Sequence, residues 1–277
     1  MKWIVLDFGT HEIKALKLSM DANKFEILDF AEWPSRADYF KGLGFPDSSA
    51  WAAVTIALNE NDWLKPEEEV IVTAALPSAY LETRYLKFPF KNEKKIEKVL
   101  TFELESTLPF DVEDVLTRHR ILEGDGVNES RKETVAMVFC YKREQIKTFE
   151  AELRKFQLSN PPITTEILAL SSLRQAITQD SVFGILDLGH SKSHFLLMQK
   201  SGGILGARTF WWGGEKIIQS VASDASMDYS KAEESFWQFD PSTDSLQIAP
   251  SIEKSLSSFT LELRQTLKGY TANHLNL

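Results

Sequence analysis

The stretch FGILDLGHSKSHFLLM, residues 183–198, repeats the pattern of WIVLDFGTHEIKALKL, residues 3–18. In each stretch an apolar run of strand-forming residues leads into Asp-X-Gly, a few polar residues and a second apolar run. The two stretches lie 180 residues apart (183 against 3), and at that offset four residues are identical: Leu6, Asp7, Gly9 and Leu16 match Leu186, Asp187, Gly189 and Leu196. The pattern predicts two equivalent β-hairpins, one in each half of a duplicated chain.

The composition excludes several classes of protein. The 277 residues are 43% hydrophobic and 26% charged, which is typical of a folded globular protein with about two domains. A net charge of -9 disfavours broad electrostatic binding to nucleic acid or anionic lipid. No apolar run reaches the length of a membrane span, and a single cysteine permits no intrachain disulfide. We therefore expect a cytoplasmic protein with no membrane span in this chain and no nucleic-acid partner.

The order of predicted strands and helices divides the chain into segments. An α/β region near the start is followed, from Tyr80 onward, by a predicted strand, a helix and two strands. This order indicates an inserted β-α-β-β unit. TTEILALSSLRQAI, residues 164–177, is predicted as one helix, and residues 35–49 as a loop. A long final helix carries an apolar stripe that we expect to pack along its whole length; the stripe consists of Ile252, Leu256, Phe259, Leu263, Leu267 and Tyr270.

The chemistry of the two hairpins suits a phosphate ligand. A glycine at a tight turn lets the backbone approach a ligand closely, and successive N–H groups then point at phosphate oxygens. The aspartate that closes each strand can hold Mg²⁺, directly or through water. One Asp-X-Gly after a strand is most often only a turn, but its repetition favours two turns that together hold one polyphosphate.

Other residues that could carry chemistry have simpler interpretations. Cys140, inside VAMVFC, is predicted as a buried core thiol, and Trp211–Trp212 as core or interface aromatics. His190 and His194 have no second ligand pair, so a metal site there is not expected. The sequence contains neither a Walker-type phosphate loop nor a Gly-x-Ser-x-Gly nucleophile turn.

Taken in order, these motifs resemble the actin-like ATPase superfamily. Within it the chain resembles the family of PilM and the GspL cytoplasmic domain, which serve type IV pilus and type II secretion assembly. The likeness covers the whole chain and rests on the order of five stretches, which are LDFGTHEIKALKL (6–18), the insert (75–115), TTEILALSSLRQA (164–176), ILDLGHSKSHFLLMQKSGGILGARTFWWGGEKI (185–217) and SKAEESF (230–236).

The resemblance implies an α/β, actin-like fold with RNase H-like duplicated halves and an inserted β-α-β-β subdomain. The implied segments are 1–78 (first half, subdomain IA), 79–143 (insert), 144–180 (return to IA and connecting helix), 181–222 (second half, IIA) and 223–277 (helical IIB). The family's adenosine-binding strand and Gly-Gly turn are expected after the helix ending near Tyr270. No such turn precedes Leu277, so we expect the second half to be incomplete.

The resemblance also assigns site residues. Asp7 and Asp187 are implied as Mg²⁺ ligands, directly or through water, and Glu166 stands where the family often carries an acid, which makes it a catalytic candidate. The phosphate-binding residues implied are Asp7, Gly9, Thr10, His11, Lys14, Asp187, Gly189, His190, Ser191, Lys192, Gly213 and Gly214. Larger side chains in these turns, such as His11 and His190, are expected to crowd the phosphates, so the activity implied is a weak ATPase at most.

The function implied is a scaffold of the pilus inner-membrane platform. It would bind ATP-Mg as a structural or switching ligand and be held peripherally at the inner membrane by its partners. The first implied partner is the N-terminal tail of a PilN-like membrane protein, in a groove near Tyr80, Leu81, Arg84 and the 92–108 helix. An assembly ATPase is the second implied partner. Two alternatives remain open: a GspL-type domain with weak or no nucleotide binding, and an active ATPase or kinase on the same fold.

Overall fold

A computed structural model describes residues 1–21, 24–42, 44–65, 68–121, 134–156, 162–177, 182–199, 201, 203–241 and 248–274. These residues form two compact units. The first holds the described residues up to 177, and the second holds those from 182 onward. None of the described helices combines the length and the apolar character needed to cross a membrane.

The first unit contains two sheets and a small strand pair. Its strands are β1 (Lys2–Phe8), β2 (Glu12–Asp21), β3 (Lys24–Pro34), β4 (Phe40–Lys41), β5 (Phe45–Pro46), β6 (Val70–Leu76), β7 (Glu82–Phe88), β8 (Val115–Ile121), β9 (Thr134–Lys142) and β10 (Ile163–Thr165). Its helices are α1 (Ser48–Glu60), α2 (Glu93–Glu105), α3 (Arg143–Arg154), α4 (Glu166–Ala169) and α5 (Arg174–Ile177). The main sheet has the order β10-β6-β1-β2-β3, in which β1, β2 and β3 are antiparallel and β6 runs parallel to β1 and β10.

The residues of β1 alternate between a buried and an exposed face of this sheet. Ile4, Leu6 and Phe8 are almost completely buried, whereas Val5 and Asp7 between them point to the exposed face. Helix α1 covers the buried face, and its Trp51 ring lies 4.6 Å from the ring of Phe8, centroid to centroid. The Asp47 carboxylate caps α1 by accepting the N–H of Ser49.

The insert forms the second sheet of the first unit, with the order β7-β9-β8 and antiparallel pairing throughout. Helix α2 follows β7, so the chain order is the strand, helix, strand, strand that the sequence predicts. Its apolar stripe packs on one face of the sheet in a separate core, whose buried members are Leu86, Phe88, Ile96, Leu100, Leu104, Ala136, Val138 and Cys140.

Two predictions in the first unit are wrong in detail. Residues 35–49 are not only loop, because they contain a 3₁₀ turn at Ala37–Tyr39 and the β4–β5 pair. Residues 164–177 do not form one helix. The β-branched residues of β10 pair with β6 instead. Thr165 then caps α4, its Oγ1 accepting the N–H of Leu168, and a 3₁₀ turn at Leu170–Leu173 separates α4 from α5.

The second unit is a three-stranded antiparallel sheet with three helices. It contains β11 (Val182–Leu188), β12 (Ser193–Gln199), β13 (Ile204–Phe210), α6 (Gly214–Asp224), α7 (Tyr229–Trp237) and α8 (Ala249–His274), with the strand order β11-β12-β13. The ring of Trp212 stacks on Phe259 of α8 at a centroid distance of 4.3 Å, and its Nε1 donates to Ser255. Trp212 is therefore a core aromatic that packs α8 against the end of the sheet.

The long helix α8 is rotated relative to the predicted stripe. Phe259 is 5% exposed, but Leu256 and Leu267 are 39% and 37% exposed, so the stripe is not buried along its whole length. Arg208 of β13 donates to Thr266 and to the Glu262 carboxylate, both at 2.7 Å. These polar contacts help to determine which face of α8 packs on the sheet, and the apolar pattern of the helix does not indicate that face.

Candidate functional site

The first predicted turn joins β1 to β2 through Gly9, Thr10 and His11. A Cβ atom on Gly9 would lie 2.5 Å from the carbonyl oxygen of Glu12, so only glycine fits without a backbone shift. Asp7 is exposed and stands directly opposite Lys14, whose Nζ lies 3.6 Å from a Glu12 carboxylate oxygen. Acidic Asp7 and basic Lys14 therefore stand opposite each other on the two strands, close to Gly9.

The second predicted turn, between β11 and β12, has the same construction. A Cβ on Gly189 would lie 2.5 Å from the carbonyl oxygen of Lys192, and the Gly189 N–H donates to that oxygen at 3.2 Å. Asp187 is exposed and stands opposite His194. The strands pair in the same register in both hairpins, and each glycine meets the carbonyl three residues ahead. The duplication predicted from the sequence is confirmed.

Helix α6 begins against the second turn. The N–H of Gly214 donates to the carbonyl of Gly189 at 3.0 Å, and the N–H of Glu215 donates to that of His190 at 2.8 Å. A Cβ on Gly213 would lie 2.3 Å and 2.4 Å from the same two oxygens. Gly213 and Gly214 therefore hold the turn against the helix end; their predicted contact with phosphate stays a prediction.

The two turns differ in the side chains around the aspartate. Lys14 is exposed, whereas its counterpart His194 is 3% exposed and its Nδ1 lies 3.0 Å from Thr209 Oγ1. Lys192 is 9% exposed, and Ser193 donates from Oγ to the Trp212 carbonyl. The second turn is thus the more deeply packed of the two, while Thr10, His190 and Ser191 are only half-buried.

Glu166, the catalytic candidate, binds the backbone of its own unit. Its carboxylate accepts the N–H of Ser78 at 2.8 Å, while Ser78 Oγ accepts the N–H of Ile167 at 2.7 Å. Ser78 is 2% exposed, and burial together with the Glu166 charge raises the pKa of the nearby Tyr141. This reciprocal pair joins the end of β6 to α4, a role that the sequence does not indicate because Ser78 and Glu166 are 88 residues apart in the chain.

The predicted partner residues lie where the main sheet leads into the insert. Tyr80 donates from its hydroxyl to the carbonyl of Lys41 at 3.1 Å, and Leu81 packs on the main core. Arg84 donates to the Thr107 carbonyl at 3.2 Å and forms an ion pair with Glu82 at 2.8 Å. These contacts fix the junction between β7 and the end of α2.

An exposed aromatic on α2 was not singled out from the sequence. Phe102 is 75% exposed, although phenylalanine side chains are usually buried in folded proteins. The signal was present, because Phe102 falls outside the stripe of Ile96, Leu100 and Leu104 that packs on the sheet. It lies within the 92–108 helix that was predicted to face a partner.

Among the described residues, no three His, Cys, Asp or Glu side chains are grouped to hold a metal ion. Mg²⁺ bound with a nucleotide does not need such a group, because phosphate oxygens and water fill most of its six positions. One exposed carboxylate beside each glycine turn, Asp7 and Asp187, is compatible with that mode of binding.

The fold is that of the actin-like ATPases, an α/β architecture with two related halves and an insert in the first, as the sequence predicts. A chain of the PilM–PilN type IV pilus biogenesis complex is similar over 98% of this chain and 78% of its own, with a TM-score of 0.75 and 20% identity. The ethanolamine utilization protein EutJ from Carboxydothermus hydrogenoformans is similar over 98% of this chain and 72% of its own, with a TM-score of 0.55 and 13% identity.

The cytoplasmic domain of EpsL, an inner-membrane component of the Vibrio cholerae type II secretion system, aligns with 82% of this chain and 78% of its own. Its TM-score is 0.47 and its identity 15%, which is too distant to bear on the function. No protein-family model matches the chain, and no curated protein sequence matches it.

Proposed function

We propose that this chain is a scaffold of a type IV pilus assembly machine, which docks the N-terminal tail of a PilN-like membrane protein. The observation that carries the proposal is the similarity over 98% of the chain to a member of the PilM–PilN complex. In this proposal the chain works in the cytoplasm and reaches the inner membrane through its partner. An assembly ATPase as a second partner stays a prediction.

The docking site of the proposal is the junction of β7 and α2. Tyr80, Leu81 and Arg84 lie on the strand side, and Phe102 supplies an exposed aromatic on the helix side. Large aromatic side chains are common anchors of protein interfaces, because they bury much apolar area at small cost in side-chain entropy. Arg84 keeps the two sides together through the Thr107 carbonyl.

The second part of the proposal is a bound nucleotide, ATP with Mg²⁺. At each turn, the backbone N–H group of Thr10 or of His190 would bind phosphate oxygens, and the aspartate beside that turn, Asp7 or Asp187, would hold the ion directly or through water. When bound, the ion would supply positive charge that offsets the charge of the phosphates. We assign the nucleotide a structural or switching role, and no catalytic step to Glu166, whose carboxylate is hydrogen-bonded to the Ser78 backbone.

Tail binding is tested with a synthetic peptide of the N-terminal residues of PilN from the similar complex, labelled with a fluorophore and followed by anisotropy. Phe102→Ala should weaken binding by about tenfold or more, since truncated anchor residues typically lose 2 kcal/mol or more. Phe25→Ala is the matched control, because Phe25 is 69% exposed on β3 of the same unit. Equal affinity of the wild type and both variants would move the docking site elsewhere, and no binding at all would contradict the proposed partner.

A further inference from the structure

Helix α2 of the insert carries a group of lysines at its start. Lys94 and Lys95 lie in its first turn, Lys98 lies in its second turn, and Lys91 lies two residues before it begins. All four are exposed, and Lys95 Nζ lies 4.5 Å from the centroid of the Phe90 ring. Within the described part of the chain none of the four forms an ion pair. We call these four residues the lysine face.

The helix separates charges that are mixed in the sequence. At about 3.6 residues per turn, the lysine face occupies roughly 100° of the helix circumference. Ile96 and Leu100, which pack on the sheet of the insert, lie on the opposite side. Glu93 and Glu97 lie towards that buried side as well, because they follow the same rotation. The positive charges therefore point away from the insert, and the nearest carboxylates of the helix do not accompany them.

The lysine face is unfavourable for the helix that carries it. The N-terminal end of a helix is the positive end of its dipole, yet Lys94 and Lys95 stand there. Glu103 and Glu105 stand at the C-terminal end, which favours cations. Lys94 and Lys98 are also four residues apart, the spacing at which like charges on a helix repel. Residues that conflict with the local stability of their own element are expected at functional surfaces.

We propose that the lysine face binds the headgroups of an anionic lipid bilayer. Four or more basic residues on one face of an amphipathic helix are typical of contacts with anionic lipid. Lysine suits a layer of headgroups because its ammonium group is a compact point charge that needs no fixed partner geometry. An acidic protein segment fits less well, because lysine is depleted at the centres of protein interfaces.

The net charge of -9 does not prevent such a local contact. At physiological salt, charges separated by more than about 8 Å are largely screened from each other. The lysine face extends over about 10 Å of the helix axis, from Lys91 to Lys98. Glu105, the carboxylate of α2 on the same side, lies about 10 Å beyond Lys98. A bilayer at the start of α2 therefore interacts with the lysines more strongly than with the acidic remainder of the chain.

The lysine face adjoins the site proposed for the PilN-like tail. Phe102 lies one turn beyond Lys98 on the same side of α2. The inference rests on the proposed function in one respect, because a membrane protein whose tail docks at Phe102 would bring the lysine face to the bilayer. Stable attachment to a membrane usually takes two weak signals. The lysine face would be the second signal, and it would orient the insert towards the bilayer.

The test is co-sedimentation of the full chain with vesicles of phosphatidylcholine, prepared with and without phosphatidylglycerol. We expect binding only to vesicles that contain phosphatidylglycerol, and its loss as the salt rises from about 0.1 M to about 0.5 M. Each lysine near an anionic surface contributes about fivefold to partitioning, so Lys94→Ala/Lys98→Ala should bind about 25-fold more weakly. Absence of binding to both kinds of vesicle would overturn the proposal.

A second double variant separates the lysine face from the effect of net charge. Arg264→Ala/Lys268→Ala on α8 removes the same charge from two exposed positions that are also four residues apart. It should bind vesicles as the wild type does, and equal weakening by both double variants would contradict a site on α2. Thermal unfolding verifies the fold of Lys94→Ala/Lys98→Ala, whose melting temperature should not fall, because the change removes a repulsion and introduces a better helix former.

Two further results distinguish this proposal from its alternatives. Binding of soluble polyglutamate that depends on Lys94 and Lys98, without binding to vesicles, would replace the lipid with an acidic protein segment. The labelled PilN peptide reports the proposed function separately. Its failure to bind, with vesicle binding intact, would overturn the tail-docking proposal and leave the lipid contact in place.

Discussion

The substitution Gly213→Ala tests how the second turn is built. The backbone φ of Gly213 is -169°, an extended value that any residue adopts, so the constraint is steric. The new Cβ would lie 2.3 Å from the His190 oxygen and 2.4 Å from the Gly189 oxygen. To relieve the overlap, the start of α6 must move away and break its two backbone hydrogen bonds to those oxygens.

The magnitude follows from those bonds. Each contributes about 0.5–1.5 kcal/mol to stability, and the gain from a less flexible unfolded chain offsets about 0.4–1 kcal/mol of the loss. We expect a net loss of about 1–2 kcal/mol, and a unit of this size loses roughly 4–8 °C in melting temperature for each kcal/mol. Differential scanning calorimetry measures the shift directly.

The neighbouring residue gives the control. A Cβ on Gly214 would meet nothing nearer than His190 Nδ1 at 4.0 Å, and Gly214 begins α6. Gly214→Ala should therefore leave stability unchanged or raise it by up to about 1 kcal/mol. Indistinguishable melting temperatures for the two variants would refute the contact between the turn and the helix.

Four further predictions concern other parts of the chain. Ser78→Ala should lower the free energy of unfolding by about 1–3 kcal/mol in urea titrations, because the buried Ile167 N–H loses its acceptor; an unchanged midpoint would argue against the pair with Glu166. The Cys140 thiol, fully buried and with its pKa raised by burial to about 11, should react with a thiol reagent only in urea, and rapid labelling of the native protein would contradict the insert core. Hydrogen bonds from Ser251 and then Lys254 lower the pKa of Asp224, so its stabilising effect is present above its ordinary pKa and disappears as the pH falls through the lowered value; Asp224→Asn should flatten the acid limb of the stability profile, and an unchanged limb would argue against it. Gly269→Ala, with nothing within 4 Å of the new Cβ, should stabilise α8 by about 1 kcal/mol in thermal unfolding, whereas destabilisation would mean that its surroundings are misassigned.

The hairpins could be predicted from the sequence because their determinants are local. Alternating apolar residues, Asp-X-Gly and a second apolar run specify two strands and a turn within sixteen residues, and the offset between the copies identifies the duplication. The rotation of α8 could not be predicted, because it depends on Arg208 reaching Glu262 and Thr266, which are more than fifty residues away in the chain. An apolar stripe in the sequence does not indicate such polar contacts.

The candidate site shows the same division. The need for glycine at Gly9 and Gly189 follows from turn chemistry, and the structure gives both the same close approach to a carbonyl oxygen. The position of Glu166 at a possible site followed only from family resemblance, and its hydrogen bond to the Ser78 backbone depends on two segments that meet in the folded chain. Long-range partners of this kind have no local signature in the sequence.

Calorimetric titration with ATPγS and Mg²⁺ tests the proposed binding of a nucleotide by the duplicated turns. The Asp7→Ala variant removes the carboxylate beside the first turn. The Asp21→Ala variant removes an exposed carboxylate at the opposite end of the same hairpin. We predict binding to the wild type and to Asp21→Ala, and at least about tenfold weaker binding to Asp7→Ala. No heat of binding with the wild type, or equal affinity in all three proteins, would contradict the claim.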